Sequence, residues 1–522
     1  MFSDFIHFNI DVDFQLMKDK YPALVPEEFF VIRKDYGRNG ILTNYWISRL
    51  VTDLDELVRR NDFECLFIEL NDEAEGLVRN LCNGHLKLHE ITLLSASYGH
   101  SEISLFEVLR KLTKLRVIFW ADSPSHIDQF KKSLLQRYTA TPLPGEILYT
   151  YIYNCYGIPY MFAPTKFSFV VTDKCNAKCK TCYRGTISFN KEAKYRDELS
   201  TQELIQTLQY LRSIGTDRIK FLGGEPLCRQ DIFTLIDFAN RQNMITELSS
   251  NGLLLADDKY IQEVASLNPC LSNIQISIDG MEYGQNTQRT GADFYTVVKA
   301  FEKMKRAGLN FTTNTIVSRV NMSEIDELIK MIAEFGVEGR FQIMKACGIG
   351  QENFSLIPSP AEKKQIISII NTAAAKYGAR IKNAVIFHPF VSAKNQSQSN
   401  KKAKYHRCRA CTYGMALSPQ GYALPCEFLE PFHEFQDFNI KEHSILDIWH
   451  TSSIFQKLRT VEVQGKCAIC EYSGRCEMGC FAETYGLTGQ IDAPDPVCWY
   501  QCDENVYYPE SNDYIVANCK MV

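Results

Sequence analysis

The sequence predicts an α/β chain built around a partial (β/α)6 TIM-like barrel. Three observations predict it. Strand-like and helix-like segments alternate six times between 167 and about 380. A shorter alternation occupies residues 1–150 and predicts a small α/β domain ahead of the barrel. A polar linker, 391–406, then separates the barrel region (160–390) from an irregular, cysteine-rich region (407–522) that few periodic segments could hold together without metal.

In the first 150 residues "ECLFIEL" (64–70), "EITLLSA" (90–96) and "LRVIFWAD" (115–122) read as strands. "SLFEVLRKLTK" and "HIDQFKKSLLQRY" carry apolar residues at helical spacing, so a parallel sheet is expected. No glycine-rich phosphate loop is present. In the barrel region the strands fall at 167–172, 218–222, 244–249, 273–278, 310–317 and 340–345. Helices fall at 201–214, 231–242, 257–267, 293–307, 322–335 and 360–377, the first opened by a capping box of Ser200 and Glu203. Six such units with right-handed crossovers curl a sheet toward a barrel, whose chemistry sits at the C-terminal strand ends.

Composition excludes several classes. The 522 residues carry a formal net charge of −5 with no basic block, so no nucleic-acid partner is expected. No apolar run is long enough to span a membrane, and the acidic N-terminus does not resemble a signal peptide, so the expected location is cytoplasmic. Nineteen cysteines are then anomalous, because a reducing compartment disfavours disulfides. Cysteines 65, 82, 155, 228, 270, 347 and 519 stand alone and read as small hydrophobes. The others cluster, which points to metal.

Cys175, Cys179 and Cys182 follow the first barrel strand in the stretch "CNAKCKTC". Three thiolates can hold three irons of a [4Fe–4S] cluster and leave the fourth iron open to a reactant. A zinc site of three thiolates completed by a distant histidine is the alternative. With the later strand ends "FLGGEPL", "SSNG" (249–252) and "ISIDG" (276–280), this stretch resembles the radical S-adenosylmethionine (SAM) enzymes. The resemblance implies that Gly223, Gly224 and Glu225 receive the methionine moiety of SAM. It also implies that Ser277 and Asp279 contact ribose or methionine, and that Arg289 meets the methionine carboxylate. The family often has an aromatic just before the third cysteine; here Thr181 stands there and Tyr183 follows Cys182.

The last quarter is similar to the SPASM extension of that family, which holds two auxiliary [4Fe–4S] clusters. Cys411 and Cys426 flank Gly421, and Cys467, Cys470, Cys476 and Cys480 form C-x2-C-x5-C-x3-C ahead of Cys498. The resemblance implies one cluster on Cys411, Cys426 and Cys480 with Cys408 as fourth ligand. It implies a second on Cys467, Cys470, Cys476 and Cys498, with Cys502 a competitor for the last place. A pair of zinc ribbons is the alternative reading of these spacings.

By the same resemblance the chain would cleave SAM to a 5′-deoxyadenosyl radical and abstract hydrogen from a peptide or protein. The outcome would be a thioether or C–C crosslink or an oxidation, with a flavodoxin or ferredoxin supplying electrons. Glu427, directly after Cys426, matches the place of an acid that serves as a base in sulfatase-maturing relatives; a solvated carboxylate is its plain reading. Two other readings stand beside this one: a radical SAM dehydrogenase of a small metabolite, and a non-enzymatic metal-binding scaffold. The N-terminal domain would dock substrate or partner, and no D-x-H-x-x-G cobalamin signature is present.

Overall fold

A computed structural model describes residues 6–7, 19–24, 30–36, 42–49, 67–71, 85–97, 105–106, 108–110, 118–128, 160–161, 163–184, 198–242, 244–267, 272–383, 408, 410–462, 464–470, 479–494, 496 and 498. The chain divides into two compact units. One comprises Met1–Thr165 with Gln209–Arg218 and Gln242–Ile245; the remainder forms the other.

Among the described residues of the first unit the strands pair antiparallel, not in the parallel sheet expected. β1 (Ile6–His7) and β2 (Tyr21–Leu24) flank β6 (Ile118–Ala121) in an antiparallel sheet. β3 (Phe30–Tyr36), β4 (Leu42–Arg49) and β5 (Phe67–Asn71) make a second, with β4 central and every pairing antiparallel. The expected strand at 90–96 is instead part of a helix, Leu88–Ser97. The run is apolar and β-like in composition, yet only Leu88, Ile91 and Ser95 are buried along it, the spacing of one helix face. Leu93 is 72% exposed, and the Lys87 N–H donates to Glu90 Oε2 at 2.7 Å, closing the first turn.

In the second unit nine strands form one open sheet in the order β15-β14-β13-β11-β10-β9-β7-β16-β17. The six expected barrel strands are its middle: β7 (Lys166–Val170), β9 (Arg218–Leu222), β10 (Ile245–Ser250), β11 (Ser272–Ser277), β13 (Phe311–Val317) and β14 (Glu338–Ile343). The pairs β10–β11, β11–β13 and β13–β14 are parallel, and helices follow at Thr201–Ser213, Ile232–Arg241, Asp258–Ser266, Phe294–Arg306, Ile325–Phe335 and Pro360–Tyr377. Phe167, Phe169 and Phe221 are fully buried in the core beneath. The Ser200–Glu203 capping box forms as expected, with Ser200 N–H donating to Glu203 Oε2 at 2.7 Å and Glu203 N–H to Ser200 Oγ at 3.3 Å.

Three strands extend this sheet beyond the expected six. β15 (Ile381–Asn383) pairs parallel with β14, and β16 (Gly414–Leu417) pairs parallel with β7 before turning antiparallel into β17 (Ala423–Leu424). All four residues of β16 are buried. The cysteine-rich region therefore shares the barrel's sheet and has apolar packing of its own, around Trp449, Phe455 and Leu458, and does not rest on metal alone. The expected linker 391–406, Cys476 and Cys502 lie outside the described residues, as do lone cysteines 65, 82, 155, 270 and 519. Among the described residues no helix is long and apolar enough to cross a membrane.

The helix Phe481–Thr488 packs so closely on the turn after β14 that a Cβ on Gly486 would lie 1.9 Å from the Ala346 carbonyl oxygen. Gly→Ala inside a helix ordinarily stabilises by up to about 1 kcal/mol. Here the clash reverses the sign: Gly486→Ala should lower the unfolding free energy by about 1–3 kcal/mol, read as a lower urea midpoint, and a raised midpoint would refute the close packing.

Candidate functional site

The three thiols of the first cluster open onto one cavity at the C-terminal ends of the strands. Cys175, Cys179 and Cys182 line it together with Glu225, Ser277 and Arg289. The backbone explains how residues so far apart in sequence meet. β7 runs into the cysteine loop, and the end of β9 is stitched to that loop by Gly224 N–H to Thr172 O (2.8 Å) and Glu225 N–H to Lys174 O (2.7 Å). A short ribbon, β8 (Lys178–Cys179) against β12 (Arg289–Thr290), sets Arg289 directly opposite Cys179.

The glycines have a more local task than ligand approach alone. A Cβ on Gly223 would stand 2.7 Å from Thr172 O, and one on Gly224 2.3 Å from Lys174 O. Both glycines line the cavity, but what excludes side chains there is the cysteine loop itself.

Glu225 is 1% exposed. Its carboxylate accepts from Asn251 N–H at 2.7 Å, Ser250 Oγ at 2.9 Å and Leu227 N–H at 3.1 Å. Burial pushes its pKa above the usual carboxylate range despite these bonds. Asp279 occupies a different place from the one expected. It is fully buried, one oxygen accepting from Arg289 Nε at 2.6 Å and the other from Ile316 N–H at 2.7 Å. It therefore aims Arg289 at the cavity while Arg289 itself lines the wall. Burial pushes the Cys175 and Cys179 thiols up to about 12, with Arg289 opposing that rise at Cys179.

The donor set fits an iron–sulfur cluster. Three soft thiols share one wall beside a fixed guanidinium, which would offset the charge of bound thiolates. Among the described residues no three His, Cys, Asp or Glu side chains converge tightly enough for a single metal ion. The described lining of this cavity includes no histidine, so it does not supply the fourth ligand that a three-thiolate zinc site would need, whereas three thiols suffice for a [4Fe–4S] cluster with an open iron.

Glu427 lines this same cavity, although 245 or more residues separate it in sequence from the three thiols. Its Oε2 lies 3.4 Å from Cys426 Sγ, which donates to it. Phe428 also lines the cavity, its ring 4.8 Å from that of Tyr183. Sequence reasoning missed what brings the two loops together. Arg184, 1% exposed, donates from Nε and Nη2 to both oxygens of Glu430 at 2.6 and 2.5 Å, and from Nη2 to Asp173 Oδ1 at 2.5 Å. The partners Arg184 and Glu430 are 246 positions apart, so no local pattern marks them.

The other described cysteines of the C-terminal region are placed as follows. Cys408 and Cys411 are buried, Cys411 at a left-handed φ of 62° with its carbonyl accepting from Arg459 Nε at 2.6 Å. Cys480 is the N-cap residue of helix Phe481–Thr488. Cys467 lies in the short helix Gly465–Ile469, Cys470 follows it, and these two and Cys498 are half-buried. Of the lone cysteines, Cys347 is buried as a small hydrophobe would be, and Cys228 is half-buried.

A family described as the Radical SAM superfamily matches residues 169–332, and one described as an iron–sulfur cluster-binding domain, SPASM, matches 408–477. The AdoMet-dependent heme synthase of Methanosarcina barkeri is 28% identical over 65% of this chain and 97% of its own length. The PqqA peptide cyclase of Granulibacter bethesdensis is 26% identical over 63% of this chain and 85% of its own. In fold, the chain resembles Streptococcus suis SuiB, whose crystal structure is bound to precursor peptide SuiA: TM-score 0.61, 15% identity, 92% of this chain and 100% of that one.

The buried triad makes a quantitative demand. Arg184→Met strands two carboxylates away from water and should cost about 3–5 kcal/mol of stability, read from urea unfolding under argon. The double variant R184M/E430M should recover part of that loss; a single-variant cost under about 1 kcal/mol would show that the triad does not hold the loops.

Proposed function

As this chain is a radical SAM enzyme carrying a SPASM iron–sulfur domain, we propose that its cavity generates a radical for use on a peptide or protein substrate. The observation that carries the reading is that three thiols, a glutamate on a buried hydrogen-bond network, an aimed guanidinium and Glu427 all line one cavity. When bound there, the cluster and SAM together supply a 5′-deoxyadenosyl radical by one-electron cleavage of the sulfonium C–S bond, and that radical takes a hydrogen atom from substrate.

The chain's own residues divide the work. Cys175, Cys179 and Cys182 hold three irons. Glu225 accepts from the methionine ammonium, a charge-assisted bond whose strength rises with its burial. Arg289, fixed by Asp279, meets the methionine carboxylate, and Ser277 the ribose. Glu427 removes a proton from the substrate once hydrogen has left it. Cys408, Cys411, Cys426 and Cys480 hold one auxiliary cluster, and Cys467, Cys470, Cys476 and Cys498 a second; a flavodoxin or ferredoxin supplies electrons.

Two observations support a peptide substrate: the relative named as a peptide cyclase, and the fold shared with a protein seen bound to a precursor peptide. The described residues of 1–150 form two antiparallel sheets, and β3, at the edge of one among the described strands, would offer backbone groups to an extended peptide. A second reading, a small-metabolite substrate, is favoured by the heme synthase at 28% identity.

Anaerobic reconstitution should load about twelve irons per chain, and about four would remove the auxiliary half of the proposal. With dithionite and SAM, the loaded protein should release 5′-deoxyadenosine and the Cys179→Ala variant none. Release by that variant at the normal rate would overturn the assignment of the cavity.

A further inference from the structure

Lys345 stands just after β14, and its side chain lines the cavity of the three thiols. Its ammonium lies 3.3 Å from Glu483 Oε2. Glu483 belongs to the first turn of helix Phe481–Thr488, whose N-cap is Cys480. Lys363 approaches the other carboxylate oxygen at 3.7 Å, and the side chains of Lys345, Glu483 and Lys363 are only 14%, 9% and 5% exposed.

One side-chain and one backbone hydrogen bond hold this arrangement at its two ends. Gln351 Nε2 donates to Gly486 O at 2.8 Å, in the same region where Gly486 packs against Ala346. Gly350 N–H donates to Cys182 O at 3.3 Å. The single turn Lys345–Gln351 thus touches the thiol loop on one side and the Cys480 helix on the other. The ion pair with Glu483, largely buried on both sides, fixes the Lys345 ammonium in this position.

A fixed charge in a poorly solvated site acts strongly on its neighbours. The reduction potential of an iron–sulfur cluster follows the net charge and hydrogen bonding around it. We propose that Lys345, anchored by Glu483, raises the reduction potential of the auxiliary cluster bound through Cys480, matching that cluster to the one-electron chemistry of the cavity whose wall Lys345 forms. The proposal rests on reading Cys480 as an auxiliary-cluster ligand.

The test is an EPR-monitored potentiometric titration of the reconstituted full chain, with Cys175, Cys179 and Cys182 replaced by alanine so that only auxiliary clusters are read. Lys345→Met should move one midpoint to more negative potential, Glu483→Gln should move the same midpoint the opposite way, and Lys345→Arg should leave it near the parent value. Iron content is measured for each variant. An unmoved midpoint in Lys345→Met, or shifts of the same sign in Lys345→Met and Glu483→Gln, overturns the proposal alone. An absence of any auxiliary signal in the parent protein overturns it together with the reading beneath it.

Discussion

The site depends on one buried cation. Arg184 stands two residues after Cys182, and its guanidinium is shared between Asp173, ahead of the first thiol, and Glu430, one short turn after Cys426 and Glu427. An ion triad this deep repays its desolvation only where geometry is close to ideal, and here a carboxylate meets the guanidinium side-on with two short bonds. Gln420 Nε2 donates to Asp173 Oδ2 at 2.7 Å, adding a second link from the C-terminal region to the thiol loop. The consequence is functional. A carboxylate and an aromatic ring from one half of the chain become part of a cavity built by the other half.

This welding changes how the chain's organisation is understood. The polar linker 391–406 and the cysteine-rich stretch after it suggest a barrel followed by a separate metal-held region. In the structure β16 continues the barrel's sheet beyond β7, and the Cys411 loop is fixed by Arg459, which stacks on Trp449 with its guanidinium carbon 4.5 Å from the ring centroid. The region thus has strands and buried apolar side chains of its own, so metal is not its sole source of order.

How legible the molecule was in its sequence varies with the range of the interactions involved. The six barrel strands were legible because they alternate regularly with helical segments and the first four run into motif residues, and β13 alternates buried and half-buried positions throughout. The cavity residues were legible as a set because the chemistry forces them to strand ends. What stayed hidden is long-range. The Arg184–Glu430 pair joins residues 246 apart, and β16 is four residues long, too short for any periodicity to register. "EITLLSA" misled because composition resembled a strand while burial followed a helix. The role of Asp279 was hidden for another reason: a buried carboxylate that aims an arginine and one that touches a ligand look alike in sequence.

Cys175, Cys179 and Cys182 would hold a cluster with one iron left for the amino-acid end of SAM, received by Glu225 and Arg289 on the same cavity wall. Electron–nuclear double resonance on the reduced protein, with SAM labelled by 15N and 17O in its amino and carboxylate groups, tests this directly. The account predicts strong hyperfine coupling from both labels to the cluster, abolished in Cys179→Ala. Fully loaded protein that shows no coupling from either label would contradict it.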